Sequence, residues 1–277
     1  MLDFKDYGGK ALTFSGGGEP TFYPEFEPAS FEAHEIGFDL GLMTNGFYHI
    51  RYNEFIGKFY KWVRFSLDTV NGEQYKKWKG VNSVGLILEN IDGLKDMPVK
   101  VGVNCNVHED LTPDDAEKLI NQVKDKVEYI QFRPILPRFY VDESPKLNFT
   151  VWNHLRKYHS DNPKVNLSDD KFADMCDGVA FPYDSCEGHH FAPVLQANGD
   201  LDTCMYHPKE ENFTFGNIYE EPFPVIWLSE RRREIISWLR NGCNMEKRCQ
   251  QCCKLHELNK FIDFVKHPHK QNDINFL

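Results

Sequence analysis

The sequence predicts an α/β fold with a parallel sheet, followed by a small cysteine-rich domain. Three observations predict it. Short apolar runs alternate with helical stretches from Ala11 to His159. Several of these runs carry polar residues on one face only. From about Lys171 the helical periodicity gives way to Cys, Gly, Pro and aromatic residues. Strands separated by helices pair in parallel through right-handed crossovers. The pattern fits an open or incomplete barrel, or a doubly wound sheet. The domains expected are 1–170 and 171–277.

Ala11 to Ser15 is the first strand pattern, followed at once by Gly16, Gly17 and Gly18. A helix is expected from Pro24 to Ile36 and a strand from Leu40 to Thr44, ended by Asn45-Gly46. Phe47 to Phe59 reads as helix and Trp62 to Leu67 as strand. Helical segments follow at Gly72 to Trp78 and Val84 to Lys95, then a strand at Lys100 to Val107. Thr112-Pro113-Asp114-Asp115 starts a helix, with Thr as N-cap, Pro at the first position and carboxylates in the first turn. Tyr129 to Pro134 is the fifth strand and Phe149 to His159 the next helix. A strand buried on both faces is almost uniformly apolar. Here Arg64, Ser66 and Asp68 oppose Val63, Phe65 and Leu67. Asn104, Asn106 and His108 oppose Val103, Cys105 and Val107, while Gln131 and Arg133 oppose Ile130 and Phe132. One face packs on helices and the other lines a polar lumen or cleft.

In the second half, Phe191 to Leu195 and Leu201 to Met205 flank Asn198-Gly199, which reads as a type I′ hairpin. A single helix is expected from Pro224 to Leu239, and an amphipathic tail from Leu255 to Val265.

A formal net charge of −10 argues against a nucleic-acid partner. No apolar run reaches the ~18 residues of a membrane-spanning helix. The start is charged and has no apolar signal region. A soluble, cytoplasmic protein is expected, with a peptide or small-molecule substrate.

Gly16-Gly17-Gly18-Glu19-Pro20-Thr21 sits where the first strand ends. Consecutive glycines let the backbone approach a ligand and expose N–H groups. Polar groups also end the later strands, as in MTNG, RFSLD, NCNVH and QFRP. Functional groups gather at such strand ends in α/β barrels. On these residues the sequence resembles the radical SAM superfamily. The resemblance implies an incomplete (β/α)6 partial barrel. Gly17, Gly18, Glu19 and Pro20 match the family's GGEP motif, which lies against the amino group of S-adenosylmethionine (SAM). Ser66 and Asp68 resemble its fourth-strand contacts to the same cofactor, and Asn104 its fifth-strand contact. Asp68 also reads as a cap for the following helix, and Arg133 as an ion-pair partner.

That family carries a C-x3-C-x2-C loop ahead of GGEP, whose thiolates hold the [4Fe–4S] cluster that cleaves SAM. No such spacing occurs here, and the first cysteine is Cys105. Parity places Cys105 on the apolar face, where a small buried thiol is ordinary. The expectation is therefore a barrel without its first βα unit, weak or absent SAM binding, and no SAM cleavage by this chain alone. A separate chain supplying that unit is an expected partner. No residue is singled out as a catalytic acid or base.

Cysteine usage is lopsided. Cys186 and Cys204 flank the Asn-Gly hairpin in a C-x12-G-x4-C order, and Cys249-Gln-Gln-Cys252 supplies a second pair. Two such pairs make a four-thiolate metal site, for which zinc and iron–sulfur use the same spacing. The arrangement resembles the SPASM or twitch extension of radical SAM proteins. Gly216-Asn217-Ile218 and Ile226-Trp227-x-Ser229 also match it. The resemblance implies one auxiliary [4Fe–4S] cluster on Cys186, Cys204, Cys249 and Cys252, with Cys243 or Cys253 as alternates. Full SPASM domains run C-x2-C-x5-C-x3-C and bind two clusters. Cys243, Cys249 and Cys252 run C-x5-C-x2-C, which favours the single-cluster form. Cys176 reads as structural or free. His189, His190, His207 and His256 lie near these cysteines as candidate ligands, with an exposed or hydrogen-bonded histidine as the default reading of each. Two functions compete. One is a radical SAM enzyme acting by 5′-deoxyadenosyl-radical hydrogen abstraction. The other is a non-catalytic or split-partner module with a structural four-cysteine site holding iron–sulfur or zinc.

Overall fold

The computed structural model describes residues 1–135, 147–177, 181, 183–249 and 253–267. Among these, one compact unit ends at Phe172 and a second begins at Ala173.

The first unit runs α1 (Leu2–Asp6), β1 (Ala11–Phe14), α2 (Phe26–Glu35), β2 (Asp39–Thr44), α3 (Tyr52–Phe59), β3 (Trp62–Ser66) and α4 (Gly72–Lys79). It continues α5 (Val84–Leu94), β4 (Lys100–Val107), α6 (Pro113–Val123), β5 (Tyr129–Pro134), α7 (Phe149–His159), β6 (Val165–Leu167) and the start of α8 (Asp169–Asp177). The strands form one six-stranded sheet in the order β1-β2-β3-β4-β5-β6, and every pairing is parallel. The order never reverses. A doubly wound sheet needs a reversal, so the chain winds in one direction, as a barrel does.

Parity holds as read. Val63, Phe65 and Leu67, then Val103, Cys105 and Val107, then Ile130 and Phe132 are buried. They pack with Ile56, Ile87, Ile91, Leu94, Leu119 and Trp152 from the helices. On the other face, register aligns Ser66 with Asn104 and Asn104 with Gln131.

Local chemistry sets the helix ends. Thr112 Oγ1 accepts from Asp115 N at 3.1 Å, and Asp115 Oδ2 accepts from Thr112 N at 3.4 Å. This is a complete capping box. Asn148 caps α7 through Val151 N at 3.1 Å, and its Nδ2 donates to the carbonyls of His108 and Leu111 at 2.9 and 2.8 Å. The helix expected from Phe47 begins only at Tyr52. Gly46 has φ +75, and its turn is pinned by buried Asn90, which donates to Gly46 O and Tyr48 O at 3.0 and 2.9 Å. Strand β6 is a three-residue run with too little period to read from sequence.

The second unit contains β7 (Val194–Leu195), β8 (Asp200–Asp202) and β9 (Thr214–Asn217), all antiparallel, then α9 (Phe223–Leu228), α10 (Glu230–Asn241), α11 (Met245–Arg248) and α12 (His256–Lys266). The β7–β8 hairpin is not type I′. That turn needs positive φ at both central residues, and only Gly199 has it, at +89. Gly199 N instead donates to Gln196 O at 3.0 Å, and Gln196 N to Asp200 O at 2.8 Å. This is the three-residue loop in which Gly takes the left-handed position. Gly216-Asn217 ends strand β9. The single helix expected from Pro224 to Leu239 breaks at Ser229, which is extended at ψ 157. Its Oγ accepts from Arg232 N at 3.0 Å and starts α10 anew. The buried core here is Leu201, Phe213, Phe215, Ile226, Ile235 and Leu239. So small a core calls for a staple such as a metal.

Candidate functional site

Gly16 takes φ +150, and a Cβ on Gly17 or Gly18 would meet nothing within 4 Å. Packing does not require these glycines, and their backbone is open to a ligand. Glu19 ties the loop to the end of β2. Its Oε1 accepts from Thr44 Oγ1 at 2.8 Å and Thr21 Oγ1 at 2.9 Å, and its Oε2 from Asn45 N at 2.7 Å. Pro20 opens a short 3₁₀ turn.

Ser66 and Asn104 lie side by side at the ends of β3 and β4. Asn104 is 7% exposed, and its Oδ1 is buried with no partner. A buried acceptor without a donor is costly, so this atom suits a ligand hydroxyl or amine. Asp68 is fully buried. Its Oδ1 accepts from Asn106 N at 2.8 Å, and its Oδ2 meets Lys79 Nζ at 2.7 Å and His108 Nε2 at 3.2 Å. Burial pushes this carboxyl up, but His108, Lys79 and the Asn106 amide outweigh it and hold it below the usual range. Trp78 stacks on His108 with centroids 3.9 Å apart. The cap of α4 is Asn71, which accepts from Glu73 N and Gln74 N at 3.1 and 3.2 Å, rather than Asp68. Arg64 donates to Met43 Sδ at 3.2 Å, and burial holds its guanidinium below the ordinary value. Arg133 has no salt bridge among the described residues.

In the second unit Cys186, Cys204, Cys249 and Cys253 are half-buried, as is Cys243, while Cys176 is exposed. Cys252 lies outside the described residues. Burial pushes the Cys204 thiol up to about 12, with Cys253 and Cys186 adding to the rise. Burial likewise raises Cys249, helped by the nearness of Cys186, Cys243, Cys204 and Cys253. Cys243 is raised by burial and by Cys186. Thiols from three stretches of chain thus lie near one another, although no three described sulfurs come within 4.8 Å of each other. Negative charge on Cys204, Cys243 and Cys249 is opposed until a cation arrives. Main-chain donors already face two sulfurs, from Tyr206 N to Cys204 and Leu255 N to Cys253, both at 3.4 Å. The donor set fits a thiolate-bound metal centre. With Cys253 counted, the thiols run Cys243-x5-Cys249-x3-Cys253, and Arg240 precedes Cys243 by three positions. These are the last three positions of the longer spacing, with Arg240 where it has its first cysteine.

His190, His207 and His256 are hydrogen-bonded neighbours, whereas His189 is buried and its Nδ1 has no hydrogen-bond partner among the described residues. His256 Nδ1 meets Tyr183 OH at 3.0 Å, and His207 Nε2 meets Arg248 O at 2.6 Å. His190 lies against Arg232 Nη2 at 2.9 Å. Glu187, His189 and His190 converge closely enough to suggest a cation site. Two cations already hold that carboxylate, Arg240 at 2.9 Å and Lys266 at 2.7 Å. Burial raises Glu187, but these partners bring it down to about 2. Another cation there would meet Arg240 and Lys266, so the cluster is an ion-pair network.

A one-way parallel sheet with open glycines and polar strand ends, joined in sequence to a thiol-lined unit, defines a cofactor-binding α/β protein with an added metal centre. Residues 1–123 match the Radical SAM superfamily, and residues 186–253 match SPASM, an iron-sulfur cluster-binding domain. The chain is a radical SAM protein with a C-terminal SPASM domain. Among solved structures, native anSMEcpe with bound AdoMet is similar at 16% identity and TM-score 0.60, covering 99% of this chain and 88% of that one. Streptococcus suis SuiB bound to S-adenosylmethionine is similar at 16% identity and TM-score 0.63, covering 93% of this chain and 64% of that one. SuiB bound to its precursor peptide SuiA is similar at 14% identity and TM-score 0.63, with the same coverage of 93% and 64%. At these identities the likeness is one of fold. No curated protein matches the sequence.

Proposed function

We propose that this chain binds SAM across the ends of β1 to β4 and holds one auxiliary [4Fe–4S] cluster in its SPASM domain. Gly17, Gly18, Glu19 and Pro20 take the amino end of SAM, and Ser66, Asp68 and Asn104 its polar groups. The cluster ligands are Cys186, Cys204, Cys249 and Cys252, with Cys253 or Cys243 as alternates. The observation that carries the reading is the nearness of half-buried thiols from separate stretches of chain. In this family SAM supplies the radical that abstracts hydrogen from a substrate. A peptide substrate is supported by the neighbours SuiB with SuiA and anSMEcpe with the Kp18Cys peptide.

A second reading has its own observation. The three-cysteine loop of SAM cleavage is not among these 277 residues, and β1 pairs only with β2 among the described strands. An unpaired edge accepts an added strand. The chain then works with a βα unit supplied from elsewhere.

The test is anaerobic reconstitution with iron and sulfide, followed by SAM binding and a 5′-deoxyadenosine assay under reducing conditions. Iron and sulfide bound, SAM bound weakly and no 5′-deoxyadenosine are expected. Zinc in place of iron, or 5′-deoxyadenosine formed by this chain alone, refutes the corresponding part.

A further inference from the structure

Donors aimed at a metal-bound thiolate withdraw charge from sulfur and make the centre easier to reduce. Two sulfurs here receive main-chain donors, which substitution does not remove. Cys186 receives a side-chain donor, which it does.

Asn259 sits in the first turn of α12 and is 3% exposed. Its Oδ1 accepts from Glu187 N and Gly188 N, both at 2.8 Å. Its Nδ2 donates to Cys186 Sγ at 3.4 Å. A main-chain N–H only donates, so those two bonds settle which end of the amide is oxygen. The nitrogen is left facing the sulfur. Gly188 permits the approach, because a Cβ there would meet Leu255 at 2.8 Å. The same loop is also clamped through Glu187, by Arg240 at 3.0 and 2.9 Å and by Lys266 at 2.7 Å. It therefore has a second anchor when Asn259 changes.

We propose that Asn259 is a positioning residue of the auxiliary centre, orienting Cys186 and raising the reduction potential of the cluster through its N–H to Sγ. The proposal rests on Cys186 being a cluster ligand.

The test uses the full 277-residue chain, reconstituted anaerobically, with iron and sulfide content and a redox titration followed by electron paramagnetic resonance. Cys186→Ala establishes the ligand first. Loss of the cluster is expected, whereas an intact cluster or an iron-free parent protein overturns the ligand reading and the proposal with it. Asn259→Asp keeps acceptors for both N–H groups and removes the donor to sulfur. Asn259→Leu removes both functions and adds no charge. Asn259→Asp is expected to keep its iron while its midpoint potential falls. The expected change in the reduction equilibrium is tenfold or more, about 59 mV for one electron. Asn259→Leu is expected to shift the same way with lower iron content. Lys260→Glu, on an exposed side chain of the same helix, controls for charge alone. Parent-like potentials in Asn259→Asp, or an equal fall in Lys260→Glu, overturn the proposal even if Asn259→Leu fails to fold.

Discussion

The two units meet the cost of buried polar groups in opposite ways. In the first, Asp68 and Glu19 are supplied with donors from the protein, while Asn104 Oδ1 is an acceptor left open at a strand end. The site is arranged before any ligand binds, on a broad apolar core. In the second, burial first and neighbouring thiols next raise the pKa values of Cys204 and Cys249 above a small core. There the group that balances the site also completes the fold. Preorganisation lets a ligand bind the first unit without an ordering cost. Dependence on a staple couples folding to metal in the second.

Removing the metal should have the largest effect. A chelator, or Cys204→Ala, should collapse hydrogen-exchange protection in α10 and β9 by several kcal/mol, given the ~10 kcal/mol that structural thiolate sites contribute. Equal loss of protection in β3 and β4 would break the contrast. Leu119→Ala should cost the first unit about 2–5 kcal/mol by opening a cavity in its core, read from denaturant midpoints with the metal content unchanged. Asp68→Asn should cost about 1–3 kcal/mol, discounted because Lys79 is one-third exposed. Because folding lowers the Asp68 pKa, its stabilisation is present above the unfolded value of about 3.9 and is lost as pH falls through the folded value. Acid titration of the parent and Asp68→Asn proteins should converge below about pH 4, and curves that stay parallel would show that Asp68 contributes nothing by ionisation. Thr112→Ala should cost about 1 kcal/mol, the smallest change, seen as faster exchange in the first turn of α6.

Much of this was legible in the residues. The period-two alternation in β3, β4 and β5 identified both sheet faces and placed Cys105 in the core. The capping box at Thr112 and the helix over Phe149–His159 follow from neighbours within one turn. The paired cysteines were readable from their spacing, whereas the GGEP loop gained its meaning only from the resemblance to a family motif. The turn type at Gly199 was not, because Asn-Gly serves several loops and the strand register selects among them. Nor was the break at Ser229, where a cap interrupts an apolar period that otherwise runs on.

The sequence by itself determined the local order of strands and helices, the polar face and the cysteine spacing. Each of these depends on residues two to four apart, or on a fixed motif. Only the tertiary structure decided that the sheet winds one way, which excludes the doubly wound alternative. It also decided that Asp68 is held by Lys79 and His108, that Cys253 joins the thiols, and that Asn148 and Asn259 reach across the chain to fix their loops. An asparagine amide pairs with whatever donor or acceptor the fold brings near it. Its partner lies about 40 residues away for Asn148 and 73 for Asn259, beyond the reach of any local pattern.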